Sequence, residues 1–186
     1  MTKIIKIHGC SGAGKTTVMR RLMLKHDFKP IPVNGKVEAY VNEGIAREPT
    51  YILGDYEATC GGMDRVGTAK EVIDLVERYE LKGNVLFEGL LQSTYYGAMG
   101  RHSLNYGKDY IYAFLDTPIE LCLARIVQRR MASGRNNKFN PELTRDKHKT
   151  IDAIRCKLIA TTNHTVVDLR HEQDLAKQIE DLLNAG

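Results

Sequence analysis

The run Gly9-Cys10-Ser11-Gly12-Ala13-Gly14-Lys15-Thr16 is a complete G-x-x-x-x-G-K-[ST] motif. Its glycines allow successive backbone N–H groups to turn inward and form a nest for an anion, and the helix that follows adds its positive N-terminal end. Gly9, Ser11, Gly12, Ala13 and Gly14 are expected to cradle phosphates, with Thr17 beside them. Lys15 reaches the β- and γ-phosphates as a mobile charge, and the Thr16 hydroxyl ligates Mg²⁺. The chemistry implied is handling of ATP and Mg²⁺, with Lys15 acting on the terminal phosphoryl group.

Carboxylates supply the second half of a phosphoryl-transfer site. Glu88 ends the apolar run Asn84-Val85-Leu86-Phe87, and open α/β sheets bind ligands at the carboxyl ends of their strands. It is expected to face the metal or a substrate group. Asp55, Glu57 and Asp64 compete for the role of base on an accepting hydroxyl. Asp64 is favoured, because Gly61 and Gly62 beside it allow close substrate approach.

These residues need a scaffold, and the 186-residue chain is long enough to bury one core. Its composition, 42% hydrophobic and 27% charged, excludes disordered and fibrous classes. No apolar run is long enough for a membrane span, and the first residues do not read as a secretory signal, so a cytoplasmic protein is expected. Cys10, Cys60, Cys122 and Cys156 lack metal or redox spacing and read as reduced, mostly buried thiols. The net charge of +4 suits an anionic ligand, and basic residues concentrate between Arg125 and Lys149.

Apolar runs at 3–8, 84–87, 110–115 and 164–169 read as strands. Segments 16–26, 68–80, 119–132, 143–159 and 172–183 carry helical periodicity. Thr68 and Glu71 make a capping box. Residues 31–33 and 36–41 flank Asn34-Gly35, a pair suited to a tight hairpin, and 51–56 reads as a further strand. On the helix from Ile119, the positions Ile119, Cys122, Leu123, Ile126 and Val127 make one apolar stripe and leave Arg125 and Arg129 together on an adjoining face.

Arg125-Ile126-Val127-Gln128-Arg129-Arg130, followed by Ser133-Gly134-Arg135 and Phe139-Asn140-Pro141, resembles the lid entry of adenylate kinases. Leu115-Asp116-Thr117-Pro118 is similar to the corresponding strand end of thymidylate kinases. The resemblance to this nucleoside and nucleotide kinase superfamily implies that Arg125 stacks on adenine and Arg129 contacts phosphate, with an adenine loop near Asp168 to His171. It also implies an α/β P-loop kinase fold forming one domain over 1–186. The expected architecture is a parallel five-stranded sheet with helices on both faces, a small β-hairpin extension over about 31–56, and an arginine-rich lid over about 132–142.

The acceptor side departs from both families: it lacks the adenylate kinase monophosphate motif, and Glu88-Gly89-Leu90 replaces the Asp-Arg pair of thymidylate kinases. Gly54-Asp55-Tyr56-Glu57, Cys60-Gly61-Gly62-Met63-Asp64 and Tyr95-Tyr96-Gly97 resemble segments of small bacteriophage P-loop kinases, some of which act on hydroxymethylpyrimidines in DNA. That resemblance implies phosphorylation of 5-hydroxymethyluracil in DNA. Asp55, Tyr56, Gly61, Gly62, Tyr95, Tyr96 and Arg135 would then line the substrate side. A thymidylate-like monophosphate kinase is the alternative, and an NTPase switch the rival from another class. Oligomeric state is left open.

Overall fold

The computed structural model describes residues 2–57, 62–94, 96–134 and 139–185. Strand β1 (Ile4–His8) is buried along its whole length. It runs between β5 (Asn84–Glu88) and β6 (Tyr110–Leu115), parallel to both. Strands β4 (Thr50–Leu53) and β7 (Thr165–Leu169) extend this parallel core outward on either side. Buried on both faces, the central strands are rich in Ile, Val, Leu and aromatics rather than strictly alternating, as covered parallel strands must be.

The hairpin changes the expected architecture. Strands β2 (Lys29–Val33) and β3 (Lys36–Asn42) continue the main sheet, because β3 pairs antiparallel with β4 from Ala39↔Leu53 to Asn42↔Thr50. The sheet is therefore mixed and seven-stranded, in the order β2-β3-β4-β5-β1-β6-β7, not purely parallel and five-stranded. Pairing with β3 satisfies the backbone groups that β4 would otherwise leave exposed. Pro30 and Pro32 sit in the outermost strand β2, where a missing N–H is tolerated. Asn34 and Gly35 both take positive φ, 51° and 75°, as the tight turn requires.

Helix α1 (Lys15–His26) follows β1 directly. Helix α2 (Ala69–Glu80) begins with the anticipated capping box: Thr68 Oγ1 accepts the Glu71 N–H at 3.3 Å, and Glu71 accepts the Thr68 N–H. Two short helices, α3 (Leu90–Thr94) and α4 (Gly97–Ser103), fill a segment with no anticipated element. Helix α5 (Ile119–Ala132) and the longer α6 (Pro141–Thr161) flank the expected lid, and α7 (Leu175–Asn184) closes the fold. Asn140 accepts the Glu142 N–H at 3.0 Å and Pro141 opens α6, which fixes where that helix starts.

The apolar stripes of α5 and α6 are narrower than periodicity suggests, since Val127, Leu143 and Ile159 face solvent. Cys10 and Cys122 are buried as expected, whereas Cys156 is exposed. Among the described residues no helix is long and apolar enough to cross a membrane.

Candidate active site

The loop between β1 and α1 is shaped by its neighbours as well as by its glycines. Gly12 has φ of 81°, and a Cβ there would collide with the carbonyl oxygen of Cys122, so α5 seats directly on the loop. Thr117 Oγ1 donates to Ala13 O at 2.9 Å, and Arg125 Nη1 donates to Gly12 O and Ala13 O, each at 3.3 Å. No side chain caps α1 at Gly14, which leaves its first-turn N–H groups free to meet an anion. Lys15 is buried, and its Nζ donates to Gly9 O at 2.6 Å and Cys10 O at 3.2 Å.

Glu88 stands at the end of β5, and its Oε1 accepts the Thr16 hydroxyl at 2.9 Å. Burial pushes its carboxyl up to about 7, against the opposing pull of Lys15 and the Thr16 hydrogen bond, while Asp64 adds to the rise. A hydroxyl and a buried carboxylate in contact, short of positive charge, fit a Mg²⁺ ion that takes its remaining ligands from phosphates and water. Among the described residues no group of three His, Cys, Asp or Glu side chains forms an all-protein cage. Mg²⁺ held through one carboxylate needs none.

A cavity of about 670 Å³ brings together Lys15, Thr16, Asp64, Glu88, Arg125 and Arg129, residues drawn from four separate stretches of chain. Thr17 and the loop residues Ser11 to Gly14 line it too. His171 and Gln173, just after β7, face it as well, whereas Asp168 is engaged by an ion pair with Arg155. Of the segment 168–171 expected to form an adenine loop, only His171 faces the cavity, joined by Gln173 beyond it. Asp116 Oδ1 accepts both the His171 N–H at 2.6 Å and a bond from His171 Nδ1 at 2.9 Å, which fixes that loop. Sequence reasoning missed Arg20 and Arg21, which line the same cavity from α1. Their only signal is position on the face of α1 that starts at Lys15 and Thr16.

The two roles expected of Arg125 and Arg129 are separable by kinetics. Arg129→Ala is expected to lower kcat about tenfold with little change in KM for ATP, because the contact expected of it is with the phosphate in transfer. Arg125→Ala should raise KM for ATP several-fold and leave kcat within about twofold. Steady-state kinetics in ATP check this, and equal small effects from both would mark an ordinary solvated face.

The acceptor side is mixed in outcome. Asp64 lies in a 3₁₀ turn, Met63–Arg65, and its Oδ1 accepts the Leu91 N–H at 3.2 Å. Asp55 instead pairs with Arg65 at 2.6 Å and faces a separate groove of about 900 Å³ between the hairpin and α2, away from the phosphate loop. Tyr56 is not an exposed stacking wall: it is 4% exposed, edge-on to Tyr40 at 6.0 Å, with no face open to a base. Tyr96 lines neither cavity. Its ring packs on Gly100, with Lys157 Nζ 4.8 Å from the ring centroid. Gly61, Tyr95 and Arg135 lie outside the described residues.

Gly62 is a point of close approach, but by Glu88 rather than by the substrate expected there. Its φ is 74°, and a Cβ there would stand 2.5 Å from Glu88 Oε1 and 2.6 Å from the Glu88 carbonyl oxygen. Gly62→Ala is expected to destabilise the fold by roughly 1–3 kcal/mol and to displace the Glu88 carboxylate. Urea unfolding alongside a Mg²⁺ titration of activity checks both effects, and unchanged values for both would refute this packing.

A family model described as 5-hmdU DNA kinase matches residues 1–167. The chain is 39% identical to the 5-hmdU DNA kinase of Pseudomonas phage M6, with 97% of this chain and 99% of that protein aligned. It is 35% identical to the 5-hmdU DNA kinase of Pseudomonas phage PaMx11, over 89% of each chain. The 5-hmdU DNA kinase 1 of Salmonella phage ViI is 26% identical over 78% of this chain and 66% of its own.

Proposed function

Because the chain belongs to the 5-hmdU DNA kinase family, we propose that it transfers the γ-phosphoryl group of ATP to the hydroxymethyl oxygen of 5-hydroxymethyluracil in DNA. The observation that carries this reading is the single cavity that joins the phosphate loop, the Thr16–Glu88 contact and Asp64. What supports it in the fold is the set of five parallel strands with β1, and the loop that follows it, at the centre, joined at one edge by the hairpin. Two arginines of the acceptor side are already engaged, Arg65 with Asp55 and Arg78 with Glu38.

In the reaction the hydroxymethyl oxygen attacks the γ-phosphorus, the bond to the β–γ bridging oxygen breaks, and the hydroxyl proton passes to a carboxylate. Asp64, oriented at one oxygen by the Leu91 N–H, is the base proposed for that proton. Lys15 neutralises charge on the β- and γ-phosphates, Arg129 meets the transferring group, and Arg125 with the loop at His171 holds the adenine. Mg²⁺, held by Thr16 and Glu88, would supply charge neutralisation between the β- and γ-phosphates. The loose transition state needs positioning and countercharge more than covalent help.

Offering thymidine, thymidylate, deoxyadenylate and a duplex containing 5-hydroxymethyluracil, each with labelled ATP, tests the reading. Transfer to the duplex is expected. Strong transfer to thymidylate with none to the duplex would replace it with an ordinary nucleotide kinase. Since a duplex must be held by its phosphates, the rate on DNA at limiting substrate should fall at least about tenfold between roughly 50 and 200 mM salt. A salt-independent rate would rule out phosphate contacts as the anchor.

A further inference from the structure

Two buried polar atoms on the acceptor side have no hydrogen-bond partner among the described residues: the Tyr56 hydroxyl and Gln92 Oε1. Gln92 is 8% exposed and sits in α3, one turn beyond Glu88. Its Oε1 and Asp64 Oδ1 lie against the same side of Gly89, where a Cβ would overlap the first and stand 3.0 Å from the second. Asp64 and Leu90 line the phosphate-loop cavity, and the Gln92 amide oxygen lies with Asp64 at its edge, beside Gly89. Burial raises the Tyr56 phenol well above its ordinary value, and the carboxylates of Glu88 and Asp64 push it further. An unpartnered buried amide oxygen costs about 1–3 kcal/mol, a reason to ask what ligand group completes it.

The orientation of the amide dictates the answer. Gln92 Nε2 donates to Met63 O at 3.5 Å, and a carbonyl accepts only from the NH₂ end, so Oε1 is the end left over. Its partner must be a hydrogen-bond donor, which the ring edge of a base supplies as an N–H. A pyrimidine whose 5-substituent reaches Glu88 and Asp64 turns the adjoining C4 and N3 edge towards the neighbouring wall. Uracil carries an N–H at N3, whereas cytosine carries a lone pair there. Tyr56, able to donate or accept, suits O4 of one base or the amino group of the other and does not choose between them.

We propose that Gln92 is a specificity-determining residue, whose amide oxygen accepts the N3–H of an unstacked 5-hydroxymethyluracil and thereby rejects 5-hydroxymethylcytosine. This rests on the acceptor reading above. A base in duplex DNA must leave the stack to enter such a slot, which exposes the edge Gln92 would read.

The test compares kcat/KM on two duplexes identical except for 5-hydroxymethyluracil or 5-hydroxymethylcytosine at one position. The wild-type protein is expected to favour the uracil duplex by about 10- to 100-fold. Gln92→Met, close in volume but without a hydrogen bond, should bring the ratio to within about threefold of unity. A purely structural role would lower both rates together and leave the ratio alone. A third duplex, methylated at N3 of its 5-hydroxymethyluracil, removes the proton from the substrate and should be as poor as the cytosine duplex, whatever the variant does to folding. Equal wild-type rates on the uracil and cytosine duplexes, an unchanged ratio in a folded Gln92→Met protein, or full activity on the methylated duplex would overturn the role of Gln92. Label on none of the duplexes with label on thymidylate would instead overturn the acceptor reading itself, and this role with it.

Discussion

Lys15→Ala lowers turnover by about 100- to 1000-fold or more, the loss expected when a preorganised charge aimed at the transferring phosphate is removed. The side chain is buried in its own loop and bonded to the Gly9 and Cys10 carbonyls, so in the resting protein it stabilises the nest, whereas the proposed reaction requires it to reach phosphate. Two consequences separate these roles. Loss of the loop bonds should cost about 1–2 kcal/mol of stability, visible as a shift of a few degrees in Tm. The kinetic loss should be far larger and should persist in Lys15→Met, which preserves most of the packing. Single-turnover kinetics with labelled ATP measure the second, and a variant that retains near-normal turnover would remove Lys15 from the chemistry.

Glu88→Gln is expected to lose about 100-fold in Mg²⁺-dependent turnover while making the ligand-free protein more stable. The stability gain follows from burial. The Glu88 carboxyl ionises at about 7 in the folded protein against an ordinary value of 4.5. Below the ordinary value it is neutral in both folded and unfolded chains and adds nothing. As pH rises through the interval the unfolded chain gives up its proton first, so the folded state progressively loses stability. Above pH 7 the full penalty applies, roughly 3 kcal/mol. Glutamine, isosteric and neutral, escapes it and still accepts the Thr16 hydroxyl. The variant should therefore exceed the wild type by about 2–3 kcal/mol at pH 8 and converge with it near pH 4.5. Urea unfolding at the two pH values reads the difference directly. Saturating Mg²⁺ with nucleotide should narrow it at pH 8, since the ion supplies the countercharge Glu88 lacks. A variant less stable than wild type at pH 8, with normal metal dependence, would make Glu88 an ordinary core residue.

Some of this was legible in the sequence because the signals are local. The phosphate motif fixes its own strand, turn and helix, so Gly12, Gly14 and Lys15 fall where residue type alone predicts. Thr68 and Glu71 meet three residues apart, and Arg125 and Arg129 share a face because helical geometry puts them there. What was not legible depends on pairing across the chain. Nothing in residues 36–42 says that they will bond to 50–53 and merge the hairpin into the main sheet. Helices α3 and α4 hold five and seven residues, too few to display a period, and glycines at 97 and 100 weaken the signal further. Tyr56 is expected to line the substrate side, yet Arg20 bonds to its carbonyl at 2.9 and 3.1 Å and Tyr40 meets its ring. The Thr16–Glu88 contact spans 72 positions, and it is burial at that contact, invisible in a string of letters, that unsettles the carboxylate.

The most direct measurement is the position of the transferred label. A duplex with one 5-hydroxymethyluracil, and a control with thymine in its place, are incubated with γ-labelled ATP and Mg²⁺, digested to nucleosides, and the labelled product is identified by mass. The account predicts label on a single nucleoside, as a phosphate ester of the 5-hydroxymethyl group, and none from the thymine control. Label released only as inorganic phosphate, or transferred equally to the control duplex, would contradict it.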